Sequence, residues 1–205
     1  MDLLSNWLDA APASFCLLAA TILTSVAAFL SPELWSYLAL EPYRMVRQRQ
    51  YHQIITSGFV HADLMHLMFN TITFFFFGPS LEAEHLGGEY FLIVYLVSLV
   101  VGSLYPLIKF RNDPSYKAIG ASGAVSGIVF SYCLFNPLAT FYVFFAIPMP
   151  AFLFAILYVV YSAYSMRRRQ DNIGHEAHLA GAIAGLITTL LLSPDALESF
   201  RSHLP

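Results

Sequence analysis

Charged residues are scarce in this chain. Lys, Arg, Asp and Glu make up 11% of its 205 residues, and hydrophobic residues make up 58%. A soluble domain usually carries about 25% charged residues. The formal net charge of −3 gives no strongly basic surface of the kind that binds nucleic acid. We therefore predict a polytopic protein of the lipid bilayer, with no nucleic acid among its partners.

Cysteines, N-terminal basic residues and flexible linkers are rare or missing as well. Cys16 and Cys133 both lie inside apolar runs, so we interpret them as small buried hydrophobes rather than as a disulfide or a metal pair. No Lys or Arg precedes the first apolar run, whereas a secretory signal peptide begins with a basic region. We expect that run to be a permanent span. The absence of a Gly/Ser-rich linker predicts one polytopic domain over residues 1–205.

The apolar runs predict the fold. A bilayer core of about 30 Å requires roughly 20 apolar residues per helix. The expected spans are residues 14–31, 62–80, 89–108, 118–135, 147–166 and 175–193. The predicted fold class is thus an all-α membrane protein, a bundle of six transmembrane helices.

Polar residues at one end of three spans predict a functional site. The second, fourth and sixth spans run in the same direction, so their N-terminal ends reach the same membrane face. His66 and Asn70 lie early in the second span, Ser122 early in the fourth, and His175 and His178 early in the sixth. Polar groups inside a membrane are costly and usually mark function. We expect them to meet in one shallow layer.

Ser122 and His178 have the chemistry of a catalytic dyad. A serine hydroxyl is a weak nucleophile until a base takes its proton, and neutral histidine can do so near pH 7. The oxyanion of a tetrahedral intermediate needs hydrogen-bond donors. His66 and Asn70 share one helix face and are candidate donors, together with the backbone N–H of Ser122. Glu176 is expected to point away from His178.

The stretch "AIGASGAVSG" at residues 118–127 also predicts close helix packing. Gly120 and Gly123 flank Ser122. Gly181 and Gly185 form a small-xxx-small face on the sixth span, a pattern that lets two backbones approach. Close contact between the fourth and sixth spans is what a Ser–His hydrogen bond requires.

Several alternatives stay open at this point. The glycine-rich stretch by itself is also typical of a packing motif without chemistry. Ser126, one turn deeper, is a second candidate nucleophile. "HEAH" at residues 175–178 resembles a metal motif, but its histidines are three apart rather than four, so we predict no metal. A transporter or haem-binding bundle would require histidines that face each other, or internal repeats.

Three phrases carry a family resemblance. "TSGFVHADLMHLMFN", "GASG" and "HEAHLAGAIAG" resemble the motifs of the rhomboid family of intramembrane serine proteases, in order, over roughly residues 50–193. The resemblance implies a bacterial-type six-helix protease that acts on transmembrane protein substrates without a cofactor. The implied nucleophile is Ser122 and the implied base is His178. The residues with other implied roles are His66, Asn70 and Gly120 at the oxyanion, and Gly181 and Gly185 in packing.

The chain departs from the family pattern at some positions. His52-Gln53 stands where many relatives have Trp-Arg in the first long loop. Ser126 stands where some relatives have an aromatic residue. His175, three residues before the implied base, is expected to support the site or to contact substrate. Glu82 matches a family glutamate with an expected structural role.

The rival within the family is a catalytically silent rhomboid-like protein that binds membrane clients. Silent relatives usually lose the serine or the histidine, and both Ser122 and His178 are present here. We expect an active multi-pass enzyme of the bacterial inner or cell membrane.

The distribution of basic residues predicts membrane orientation. Under the positive-inside rule, the loops after the first, third and fifth spans face the cytoplasm and both termini face outside, whereas the family resemblance implies the opposite. We follow the charge rule. Alkaline phosphatase fused after Pro205 should then be active, and an inactive fusion with a fluorescent GFP counterpart would reverse the assignment. Of the ten Lys and Arg, nine lie in those loops: Arg44, Arg47, Arg49, Lys109, Arg111, Lys117, Arg167, Arg168 and Arg169.

Overall fold

The computed structural model describes residues 8–143, 146–168 and 174–203, most of them helical. Pro205 and the side chains of the arginines at 167–169 lie outside this description. The helices are α1 (Pro12–Leu30), α2 (Pro32–Leu38), α3 (Pro42–Gln48), α4 (Gln53–Thr56), α5 (Leu64–Leu81), α6 (Gly87–Phe110), α7 (Ser122–Phe135), α8 (Ala151–Arg168), α9 (His175–Leu192) and α10 (Asp195–His203). A 3-10 turn (Ser57–Phe59) follows α4, a π-helical segment (Glu82–Leu86) joins α5 to α6, and β1 (Thr140–Val143) and β2 (Ile147–Pro150) form an antiparallel hairpin.

Among the described residues, three helical stretches are long and apolar enough to cross a membrane: Pro12–Leu30, Leu64–Phe110 and His175–Leu192. Ser122–Phe135 and Ala151–Ser165 are apolar but shorter. The stretch Leu64–Phe110 holds both α5 and α6, and the backbone turns between them at Gly87. The φ of Gly87 is +69°, a region that other residues rarely adopt. These helices are those of an integral membrane protein, while the count of six spans stays a prediction.

Local sequence signals explain where several helices begin. Asp63 is the N-cap of α5, and its carboxylate accepts the backbone N–H of His66 at 2.8 Å. Asp is among the preferred N-cap residues because it satisfies an otherwise unpaired amide of the first turn. Proline is favoured at the first helical position, where its missing N–H is not needed. It occupies that position in α1, α2 and α3, as Pro12, Pro32 and Pro42.

Helix α7 lies at the centre of the fold. Every residue of Gly123–Phe135 except Tyr132 is buried, and α9 makes its largest contacts with α7 and α6. Glycines at these contacts let the backbones approach. A Cβ added to Gly181 would lie 2.7 Å from the carbonyl carbon of Gly123, and one added to Gly185 would lie 2.5 Å from the Cα of Gly127. Neither position has room for a side chain.

Two predicted helices begin four residues later than expected. The fourth is expected from residue 118, but α7 begins at Ser122, because Gly120 has a φ of +111° and Ala118 pairs with Leu40. The fifth is expected from residue 147, but residues 147–150 form β2, and α8 begins at Ala151. The segment 147–150 contains Pro148 and Pro150, and a proline disfavours the helical conformation in the residue that precedes it. The hairpin, α10 and the short helices α2–α4 are not among the elements expected from the sequence.

Glu82 connects the end of α5 to the beginning of α1. Its side chain is 1% exposed. One carboxylate oxygen accepts the backbone N–H of Ala13 at 3.0 Å, and the other accepts that of Ser14 at 2.7 Å. First-turn amides have no partner within their own helix, and a negative charge is favourable beside them. Glu82 therefore caps α1 from another helix.

Replacing Glu82 should destabilise the fold. Glu82→Ala leaves two amides without acceptors, and a buried donor without a partner costs about 1–3 kcal/mol. We expect the thermal unfolding midpoint of the protein in detergent to fall by roughly 5 °C or more, and Glu82→Gln, which keeps one acceptor oxygen, to lower it less. Glu84→Ala, at an exposed position, is the matched control. Equal midpoints for Glu82→Ala and Glu84→Ala would contradict the capping role.

Candidate active site

Ser122 and His178 form a direct hydrogen bond. Ser122 is the first residue of α7, and His178 lies in the first turn of α9. The Oγ of Ser122 lies 2.5 Å from the Nε2 of His178. The backbone N–H of His178 donates to the carbonyl of Gly174 at 3.1 Å, which fixes the start of α9. A hydroxyl that donates to a neutral imidazole is the arrangement that general-base activation needs.

This pair lines a cleft of about 810 Å³. Ser122 and His178 are both half-buried, so the pair is neither sealed in the core nor fully open. His66 from α5 also lines the cleft. The structure thus brings together His66, Ser122 and His178, which come from three separate helices. The cleft is also lined by other residues singled out from the sequence, namely Gly120, Gly123 and His175.

Gly120 allows the His66 ring to lie against the segment that leads into Ser122. A Cβ on Gly120 would lie 2.7 Å from the Cε1 of His66 and 2.8 Å from its Nε2. The positive φ of Gly120, +111°, is a second reason for glycine here. Its N–H donates to the carbonyl of Ser57 at 2.9 Å. Backbone conformation and contact thus both require glycine at this position.

Asn70 lies beside this cleft rather than in its lining. Its side chain is buried, and its Nδ2 donates to the carbonyl of His66 at 3.0 Å, one turn earlier in α5. It lines a separate small cavity together with Tyr95 and Ala121. His66 therefore shares the cleft with Ser122, whereas Asn70 lines a neighbouring cavity.

His61 is a buried residue near the site and was not among the site residues expected from the sequence. It is 0% exposed, and its Nδ1 lies 2.9 Å from the Oγ of Ser25 on α1. That hydroxyl donates to the carbonyl of Phe59 at 2.9 Å, so Nδ1 must donate to it. The Nε2 of His61 is then an acceptor, and the N–H of Ala121 donates to it at 3.4 Å. The sequence signal that could have indicated a role for His61 is its spacing from His66 within one motif.

Burial keeps His61 neutral. The pKa of His61 is lowered from 6.5 to about 3 overall, and loss of solvent is the largest cause. The neighbouring His66 also lowers it and Asp63 raises it. Both histidine rings are close, with centroids 4.9 Å apart in an edge-on arrangement. A neutral His61 can accept the Ala121 N–H throughout the physiological pH range.

The His52-Gln53 pair, where many relatives have Trp-Arg, organises the loop between α1 and α5. Gln53 is 0% exposed. Its Oε1 accepts the backbone N–H of Glu41 at 3.0 Å, and its Nε2 donates to the Oε1 of Gln50 at 2.9 Å. His52 stacks on Tyr37 with centroids 4.4 Å apart. These two residues hold the loop by neutral hydrogen bonds and stacking, without a guanidinium.

Ser126, the alternative nucleophile, has a different partner. Its Oγ lies 2.7 Å from the hydroxyl oxygen of Tyr158 on α8. Ser126 is buried, one turn below Ser122 on α7. The bond therefore joins α7 to α8 beneath the cleft.

The remaining polar residues of the "HEAH" stretch contact neighbouring helices. His175 packs edge-on against Tyr161 of α8, with centroids 5.3 Å apart, and its ring centroid lies 6.3 Å from that of His178. Glu176 forms an ion pair with Lys109 at 2.6 Å. Across residues 8–143, 146–168 and 174–203, no three His, Cys, Asp or Glu side chains are grouped so that they could hold a metal ion.

The chain belongs to the rhomboid family. The family model for the Rhomboid domain matches residues 48–195, a range that includes the cleft residues from α5, α7 and α9. The expected resemblance is thereby confirmed at the level of the family.

Related proteins come from mitochondria and bacteria. "RHOMBOID-like protein 12, mitochondrial" of Arabidopsis thaliana is 35% identical over 66% of this chain and 45% of its own length. "Rhomboid protein 1, mitochondrial" of Saccharomyces cerevisiae is 31% identical over 84% of this chain and 51% of its own. "Rhomboid protease GluP" of Bacillus subtilis is 24% identical over 78% and 30%. The chain thus spans about half or less of the length of these relatives.

The depressed pKa of His61 predicts how stability changes with pH. Below pH 6.5 the unfolded chain binds a proton at His61, while the folded protein stays neutral there until about pH 3. Stability should therefore fall as pH falls through this window, by about 2 kcal/mol from this residue between pH 6.5 and 5.

Thermal unfolding midpoints in detergent at pH 7 and pH 5 would test this expectation. The decrease should be smaller in His61→Gln, which cannot titrate, than in the wild type. His203→Gln makes the same chemical change at an exposed position and should leave the wild-type decrease unchanged. An identical decrease in His61→Gln and wild type would show that His61 does not carry the effect.

Proposed function

We propose that this chain is an intramembrane serine endopeptidase that cleaves transmembrane or juxtamembrane segments of membrane proteins. The observation that carries the proposal is the 2.5 Å contact between the Oγ of Ser122 and the Nε2 of His178 in a cleft of a rhomboid-family protein. The names of relatives such as "Rhomboid protease GluP" support the same class of reaction.

In the proposed first half-reaction, the Oγ of Ser122 attacks the carbonyl carbon of the scissile peptide bond. His178 accepts the hydroxyl proton at Nε2 as the new C–O bond forms. The carbonyl oxygen becomes an oxyanion, and the tetrahedral intermediate then collapses. The C–N bond breaks, His178 gives its proton to the leaving amine, and the acyl group remains as an ester on Ser122.

The second half-reaction repeats these steps with water. His178 takes a proton from water as the oxygen attacks the ester carbon, and it returns the proton to the Oγ of Ser122 as the ester bond breaks. The cleft offers a route for this water. Helix α7 has 14 residues and is about 21 Å long, so it spans less than a bilayer core of about 30 Å. We place this shortfall at the N-terminal end of α7, which leaves room for water above Ser122.

Donors near Ser122 are proposed to stabilise the oxyanion. The Ser122 N–H is at the first position of α7, where helical amides lack partners within the helix. The His66 ring lies beside Gly120. Asn70 uses one amide hydrogen toward the His66 carbonyl and carries a second that this bond does not use. We propose His66 as the nearer donor and Asn70 as its neighbour on the same helix face.

We also infer six spans, α1, α5, α6, α7, α8 and α9, in one polytopic domain. Substrates are then transmembrane proteins that reach the cleft from the bilayer. The relatives include mitochondrial and bacterial proteins, so the bacterial cell membrane stays a prediction.

The dyad is tested by labelling and by cleavage. A fluorophosphonate probe should label folded wild type but not Ser122→Ala, because it reacts with an activated serine. Cleavage of a transmembrane substrate in liposomes should fall by more than about 10³-fold in Ser122→Ala, His178→Ala and the double variant. The three losses should be similar, since effects within a catalytic unit do not add.

Ser126→Ala is the matched control for the serine change. It removes the same hydroxyl one turn away and should still be labelled. Labelling that survives in Ser122→Ala and disappears in Ser126→Ala would move the nucleophile. Folded wild type that is never labelled, with transmembrane clients still bound, would favour the silent rhomboid-like alternative.

A further inference from the structure

The segment that leads into Ser122 is held by the loop between α1 and α5. The backbones of Leu40 and Ala118 exchange two hydrogen bonds, of 3.0 and 2.9 Å, in an isolated antiparallel bridge. Two residues later, the N–H of Gly120 donates to the carbonyl of Ser57. The amides just before Ser122 therefore point at acceptors in the loop rather than into the cleft.

Glu41 and Lys117 extend this bridge by one residue pair. In an antiparallel arrangement, the neighbours of Leu40 and Ala118 stand opposite each other. The Nζ of Lys117 lies 2.8 Å from the Oε1 of Glu41. Cross-strand pairs of opposite charge stabilise such pairing, so the ion pair fixes the same register as the backbone bridge.

Glu41 is the buried centre of this arrangement. It is 5% exposed. Its carboxylate also accepts hydrogen bonds from Arg44 at 3.1 Å and from Ser36 at 3.2 Å. Its backbone N–H donates to the buried Gln53. A carboxylate in such a place needs its cations, since an unpaired buried charge is costly.

The ionised form of Glu41 is the stable one at neutral pH. Burial alone would raise the pKa of this carboxyl. The hydrogen bonds and charges of Lys117 and Arg44 outweigh burial, and the pKa is lowered overall. Lys117 lies outside the core, with 42% of its side chain exposed, and its Nζ is 5.5 Å from the ring centroid of Trp35.

We propose that Glu41 and Lys117 are positioning residues for the reaction at Ser122. Their ion pair holds residues 117–121 against the loop, and this sets the direction of the Ser122 N–H and the entry angle of α7. Neither residue touches the reacting atoms in this scheme. The inference rests on the proposed function of Ser122 and His178.

Four variants test the pair in the full-length protein. Glu41→Gln and Lys117→Gln each remove one charge, and the double variant removes both. Lys117→Arg keeps the charge. A 1 Å misplacement in an active site costs about 10²-fold in rate, so we expect each single Gln variant to lower kcat for a transmembrane substrate roughly ten- to a hundredfold. KM should change by less than about twofold.

The pattern among variants separates positioning from general destabilisation. The double variant should be no slower than the slower single variant, and Lys117→Arg should restore most of kcat. Glu33→Gln, at an exposed position of the same loop, should behave as wild type. Any of three results would overturn the proposal. These are a wild-type kcat in Lys117→Gln, a change confined to KM, and a fall in kcat no larger than the fall in folded fraction.

Hydrogen exchange gives a readout that does not require activity. Amide exchange in residues 117–121, followed by mass spectrometry, should be faster in Lys117→Gln than in wild type and unchanged in Glu33→Gln. Unchanged exchange in Lys117→Gln rejects the positioning role even if the enzyme is active. If exchange is faster in Lys117→Gln but folded wild type is never labelled by fluorophosphonate, the proposed function is rejected instead. If Glu41→Gln fails to fold, Lys117→Gln alone decides, because its side chain is partly exposed.

Discussion

The close approach of α7 and α9 is the constraint on which the candidate site depends. Gly181 and Gly185 face Gly123 and Gly127 so closely that an added Cβ would lie less than 3 Å from backbone atoms. Real Cβ atoms essentially never approach so near, so any side chain here must push the helices apart. The Ser122–His178 bond joins the N-terminal ends of the same two helices. A hydrogen bond tolerates only a few tenths of an ångström of such movement. The Ser122–His178 bond therefore depends on the close glycine contacts between the two helices.

Features marked by apolar runs or by the family motifs could be predicted from the sequence, whereas several features that depend on other distant contacts could not. Apolar runs and flanking polar residues located the helices, and three motifs identified the family. The start of α7 was missed because it depends on the pairing of Ala118 with Leu40, 78 residues earlier in the chain. The roles of Gln53 and His61 likewise depend on partners that sequence spacing does not reveal. Asn70 shares a helix face with His66 as expected, but that face spans two cavities.

Three ion pairs lie among the described residues, and two of their members, Lys117 and Glu176, line the cleft. Lys117 and Arg44 pair with Glu41, and Lys109 pairs with Glu176. Each pair links separate segments or braces a loop. These cations therefore have structural partners and are also counted in the positive-inside rule. The positive-inside rule counts Lys and Arg and gives little weight to acidic residues. Ion pairing therefore does not weaken the orientation expected from the nine basic residues assigned to the loops after the first, third and fifth predicted spans.

Two histidines near Ser122 illustrate how environment divides their roles. His178 is half-buried in the cleft, which gives its imidazole access to solvent. His61 is fully buried and bonded at both ring nitrogens, and burial lowers its pKa to about 3. A general base works best with a pKa near the operating pH, so His61 is unsuited to proton transfer and suited to holding the Ala121 amide. The same residue type thus supplies both a proposed reactive group and a neutral support, and the difference lies in solvent access and hydrogen bonding rather than in sequence motif.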